Sequence, residues 1–217
     1  FVAQKYSAIF LNPADSRAAG EGVKKAHAAG IPVFTFDVQV ADEEAKALVV
    51  SHIGSDNYQG GRLAAESMME VTADRGKIAI ISYPEISSCI FRVQGFRDYL
   101  KEHHSQLDIV TELSGKGNRN DGYATATDVL HAHPDSVAIF GVNDPSALGA
   151  YAAVVKAGRQ DRCPSEDDPD SLCALPICRL GQRRVQDQGA VVEAAQARSV
   201  QGTNPQGRRC PWTRTDH

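Results

Sequence analysis

Residues 49–69, "VVSHIGSDNYQGGRLAAESMM", run from an apolar strand through a glycine-containing turn into a helix. A phosphate cradle has the same layout, with loop amides and a helix N-terminus facing an anion. The spacing decides against that use. A P-loop requires G-x-x-x-x-G-K-[ST], whereas five residues separate Gly54 from Gly60 and Gly61-Arg62 stands where Lys-Ser/Thr is needed. The dinucleotide pattern G-x-G-x-x-G is not met either. Ser55, Asp56 and Asn57 are instead strong N-cap residues, able to accept bonds from the first free amides of a helix. Gly60 and Gly61 then fall in the first turns of a helix from about Tyr58 to Thr72, where a missing side chain lets another backbone approach.

The same grammar repeats on both sides. "YSAIFLN", "IPVFTFD", "LVVSHI", "GKIAIIS", "LDIVTEL" and "SVAIFGV" read as short strands. Between them lie helical stretches, beginning with one capped by Pro13-Ala14-Asp15-Ser16 and ended by Gly30. Later helices are expected from about Cys89 to His104, from Asp121 to Ala132, and from Asn143-Asp144-Pro145-Ser146 to about Ala157. Pro145 suits a first helical position because its missing amide would be unpaired there anyway. Apolar strands alternating with helices imply α/β architecture with parallel sheets covered on both faces.

Composition narrows the function. With 42% hydrophobic and 23% charged residues the chain is an ordinary globular sequence. A net charge of −4 provides no basic field for nucleic acid or an anionic membrane. No apolar run approaches the roughly 20 residues needed to span a bilayer. After about Asp161 the character changes: no Lys, Phe or Tyr follows, while Arg and Cys accumulate. No strand-like apolar run is evident there, and "VVEAAQARSV" is at most a short helix. Residues 161–217 therefore read as an atypical tail, either disordered or translated from a shifted frame, and the abruptness of the change favours the second.

In open parallel sheets ligands bind beyond the carboxyl ends of the strands. That rule selects Asn12, Asp37, Tyr83–Ser88, Ser114–Asn120 and Asn143-Asp144. Amides and a carboxylate in such places suit hydroxyl recognition, since an amide both donates and accepts. No G-x-S-x-G elbow and no paired acid/base motif appears, so an α/β enzyme is a distant alternative. His103-His104 and His131-x-His133 read as solvated helix ends, with no further ligand spacing for zinc. Cys89 and Met68-Met69 read as core.

"LNPADS", "GIPVFTFD", "VVSHIGSDNYQGGRLA", "RVQGFRDYL" and "AIFGVNDPSALGAYAAVVKAG" together resemble the periplasmic sugar-binding proteins of the ribose-binding type, which feed ABC transporters. The segments stand in that family's order over about residues 1–160. The resemblance implies two β/α lobes joined by a hinge and closing over a sugar. Residues 1–55 would be part of the N-terminal lobe and 56–160 the second, with Asp56 and Asn57 acting as hinge and helix cap together. By the same resemblance Asp37 is the strand-end carboxylate for sugar hydroxyls, Arg92 the Arg before the "GF" helix, Asn143 the Asn of "ND", and Asn12 an Asn near the cleft.

Departures accompany the match. Val38 stands where the ribose binders carry Arg after the strand-end Asp, which bears on which sugar fits. Gly117 falls near where an aromatic would stack on the sugar. The family's first β/α unit would precede Phe1, and its later "GFDG" strand end and remaining hinge crossings are not found after Gly158. The implied partners are a small-molecule sugar and an ABC transporter permease, with no cofactor, metal or nucleic acid, for a monomer that is periplasmic or anchored outside the cytoplasmic membrane. The effector-binding domain of a LacI-type transcription regulator, which shares the fold, is the alternative.

Overall fold

The computed structural model describes residues 1–159 and 173–175. Two parallel sheets organise it. The first lobe contains β1 (Ile9–Leu11), α1 (Ala19–Ala28), β2 (Val33–Phe36), α2 (Glu43–Leu48) and β3 (Ser51–Ile53), with strands in the order β1-β2-β3. The second contains α3 (Asn57–Val71), β4 (Arg75–Ser82), α4 (Ser87–Glu102), β5 (Gln106–Ser114), α5 (Arg119–Ala132), β6 (Ser136–Gly141) and α6 (Asp144–Lys156). Its strand order is β5-β4-β6-β7, where β7 is Cys173–Leu175.

The alternation of strands and helices is as expected, with local differences. α2 is absent from the sequence expectation, although Asp42 caps it by accepting a bond from the Ala45 amide at 2.7 Å. Its Asp-Glu-Glu start is a legible N-terminal signal, overshadowed by the apolar run that follows. α1 begins later than expected, because the Asp15 carboxylate spends itself on the amides of Arg17 and Ala18 in a tight turn. The tail also needs correcting at one place: Cys173–Leu175 pairs in parallel with Ala138–Phe140 of β6. Cys173–Leu175 thereby adds a three-residue strand to the edge of the second sheet. The other residues expected to form an atypical tail, 161–172 and 176–217, lie outside the described residues.

The two sheets are not covered alike. In the second lobe, Ile78, Ile80 and Phe140 pack under α3 and α4, while Ala79, Ile81 and Ile139 pack under α5 and α6. Strand alternation thus serves two cores. In the first lobe one face, with Val33, Ile9 and Leu11, packs under α1 and α2. The opposite face carries Phe10 at 67%, Phe36 at 43% and Ile53 at 64% exposure. The expectation of cover on both faces therefore holds, among the described residues, for the second sheet only.

α3 and α4 approach closely because of their glycines. A Cβ at Gly61 would collide with the Arg92 carbonyl, and one at Gly95 with the Tyr58 carbonyl. Gly60 has nothing within 4 Å of a built Cβ. Of the expected glycine pair, only Gly61 serves close packing.

Candidate functional site

The strand following α2 delivers the chain to the junction between the lobes. There Asp56 caps α3, accepting a bond from the Gln59 amide at 2.9 Å. Asn57, the first residue of that helix, is buried at 8% exposure. Its side-chain nitrogen donates to the Ser55 carbonyl at 3.0 Å, and its oxygen accepts from Arg92 Nε at 2.9 Å. Arg92, on α4, also donates through Nη1 to the Val142 carbonyl at 3.0 Å, just past β6. One guanidinium therefore ties the start of α3 to the carboxyl end of the second sheet. Two of its five N–H groups are committed in this way.

Asp37 ends β2 in a left-handed conformation, φ 61°. Its amide donates to the Ile53 carbonyl at 2.9 Å, and the Val38 amide turns back to the Phe36 carbonyl at 2.7 Å. This three-residue turn lifts the carboxylate off the sheet edge, and Asn12 Nδ2 donates to it at 3.3 Å. Asn143 caps α6 by accepting from the Ser146 amide at 3.0 Å. The same side chain donates to the Gly117 carbonyl at 3.1 Å, pinning the β5–α5 loop.

These side chains line two adjoining cavities of about 320 and 310 Å³. Asp37, His52, Ser87 and Ser88 face the first, while Arg92, Asn143 and Asp144 face the second. Ser55, Asp56 and Asn57 border both. Each lies at the small end of the usual range for small-molecule sites, roughly 300–1,000 Å³. Asn12 borders neither and reaches the cleft only through Asp37. Asp37 and Asn143 stand just beyond the carboxyl ends of β2 and β6, where ligands bind in parallel sheets, and Arg92 reaches the same junction from within α4.

His52 escaped the sequence reading, whereas Tyr83 was among the strand-end candidates without its partner being legible. His52, on β3 in register with Thr35, shares a hydrogen bond of 2.9 Å between its Nδ1 and Thr35 Oγ1. Burial lowers its pKa, and the nearby Asp37 charge offsets part of that. Only the register of β2 against β3 brings this His beside Asp37. Tyr83, at the end of β4, lies against Gly117, whose φ is +66°; a Cβ there would come within 2.5 Å of the ring. An aromatic therefore occupies the space over the glycine, supplied by another loop. Cys89 is buried, as expected; burial raises its thiol pKa, against the lowering influence of Arg92. Among the described residues no cluster of His, Cys, Asp or Glu could hold a metal ion.

Residues 1–165 match the model of the periplasmic binding protein domain. The chain is 35% identical over 154 residues to the ribose import binding protein RbsB of Escherichia coli K12, covering 70% of this chain and 50% of that protein. It is 31% identical over 161 residues to the D-apiose import binding protein of Actinobacillus succinogenes, covering 74% and 51%. Among solved structures, an ABC transporter solute binding protein from Agrobacterium vitis with bound D-fucose superposes with a TM-score of 0.68 at 38% identity, covering 72% of this chain and 54% of that one. The chain spans about half the length of the curated relatives it matches. With two parallel α/β sheets meeting at a polar cleft, and a family match over three quarters of its length, the chain belongs to the periplasmic binding protein domain family.

Proposed function

We propose that the protein binds a small neutral sugar or polyol between its lobes and hands it to an ABC transporter permease, without catalysing a reaction. One observation carries this reading: Asp37 from the first lobe and Arg92 and Asn143 from the second line adjoining cavities that share the hinge residues Ser55, Asp56 and Asn57. A carboxylate, a guanidinium and an amide can satisfy hydroxyls as acceptor, donor and both. Asp37, Asp56 and Asp144 outnumber Arg92 around the cleft, so an anionic ligand would meet net repulsion. Relatives with ribose and D-apiose in their names, and a structural neighbour holding D-fucose, support a monosaccharide. Asn12 orients Asp37, and Asp56 and Asn57 form the hinge. The periplasm or the outer face of the membrane is the matching location, and a monomer the matching form.

Isothermal titration of D-ribose, D-allose and D-fucose against wild type, Asp37→Ala and Asn143→Ala tests the assignment. Removing either group leaves a sugar hydroxyl unpaired at a cost of about 1–3 kcal/mol. Wild-type affinity in both variants would remove these residues from the site.

A further inference from the structure

We propose that Ser16, Ser87 and the Gln39 backbone form a closure latch that sets sugar affinity by holding the lobes together, although Ser87 and Gln39 also border the first cavity; this rests on the two-lobe binding reading above. Ser16 lies in the turn before α1 and Ser87 opens α4, 71 residues away in sequence and in the other lobe. The Ser87 amide donates to Ser16 Oγ at 2.8 Å. Ser87 Oγ accepts from the Gln39 amide at 2.9 Å and donates to the Gln39 carbonyl at 3.1 Å. The Ser16 amide donates to the Glu85 carbonyl at 3.2 Å. Both hydroxyls are buried, Ser16 at 1% and Ser87 at 5% exposure.

Three features make this contact a latch. The bonds join the lobes at a second place besides the Ser55–Asn57 crossing, so a rotation that parts the lobes strains them. Ser87 supplies the first-turn amide of a helix whose N-cap, Ile86, makes no side-chain cap bond; Ser16 of the other lobe accepts from it instead. Separation would leave that amide, together with the Gln39 amide and carbonyl, to find water. Val38, one residue before Gln39, belongs to the same buried cluster as Ile86 and Cys89 of the second lobe, so parting the lobes also exposes apolar surface. Ser87 Oγ already spends its only proton on Gln39 and has none to give a sugar hydroxyl.

A ligand that needs the closed arrangement has its apparent affinity scaled by the fraction already closed. Breaking the latch should therefore weaken every sugar by one common factor. The test uses the 217-residue chain as wild type, Ser87→Ala and Ser16→Ala. Small-angle scattering of sugar-free protein should show a larger radius of gyration for both variants, with wild-type circular dichroism. Titration with D-ribose and D-allose should show affinities lower by about three- to tenfold, by the same factor for both sugars. Unchanged scattering in natively folded variants overturns the latch. A factor that differs between sugars also overturns it, since Ser87 would then contact ligand. If Ser87→Ala loses its helical signal, Ser16→Ala decides, because it removes the bond between the lobes without changing any residue of α4. Failure of wild type to bind either sugar counts against the sugar reading, while the scattering comparison still decides the latch.

Discussion

Asp37 holds its backbone at φ 61°, a region that β-branched residues tolerate poorly and Asn and Asp tolerate well. Backbone and carboxylate can therefore be separated by substitution. Asp37→Asn should keep the turn and the stability while weakening sugar binding by about 1–3 kcal/mol; Asp37→Val should lose stability as well. Thermal melts beside titrations check the pair, and equal stability of the Val variant would show that the turn carries no strain. His52 offers a test through pH. Its folded pKa lies below the ordinary value because burial disfavours the cation. The unfolded chain then binds more protons, so stability rises with pH between the folded pKa and about 6.5. That contribution is present above pH 6.5 and lost on acidification. His52→Gln should flatten the difference in stability between pH 5 and 7 measured by urea unfolding; an identical slope would show that the imidazole is solvated.

α3 and α4 pack so closely that a single methyl separates two neighbouring glycines. Gly60→Ala meets open space and should stabilise the protein by about 0.5–1 kcal/mol, since Gly costs that much in a helix interior. Gly61→Ala would drive a methyl into the Arg92 carbonyl, and overpacking of this kind costs about 1–3 kcal/mol. Because that carbonyl belongs to the residue tied to Asn57, Gly61→Ala should also weaken sugar binding, whereas Gly60→Ala should not. Chemical denaturation reads the first effect and calorimetry the second. Similar effects of the two substitutions would show that α4 yields. No such asymmetry is expected of a phosphate loop, where both glycines would serve the ligand.

An exposed apolar surface lies on the first sheet. Phe10 stacks on Phe34 at 5.0 Å between centroids, and the registers Phe10↔Phe34 and Phe36↔Ile53 place Phe10, Phe34, Phe36 and Ile53 on one face. Large exposed apolar patches promote association. Replacing Phe10 and Ile53 together with Thr should reduce self-association of the 217-residue chain with its circular dichroism unchanged. Sedimentation velocity checks this; equal association would show that the face is covered in solution.

How much of this was legible in sequence differs from residue to residue. Asp56 as a cap, the helix after it, the strand ends bearing Asp37 and Asn143, and the burial of Cys89 follow from local rules: capping chemistry, apolar periodicity and the crevice at strand ends. The family resemblance added Arg92, whose position mid-helix has no local signal. What tertiary structure decided are contacts between segments distant in the chain. His52 faces Asp37 because β3 pairs with β2 in one register. Tyr83 covers Gly117 because two loops converge. Ser87 takes its cap from Ser16 across the lobe boundary, and Cys173–Leu175 becomes a strand because β6 presents an open edge. Local sequence determines what each segment can donate, accept or bury. Which partner satisfies it depends on packing, and that choice is made only when the whole chain folds.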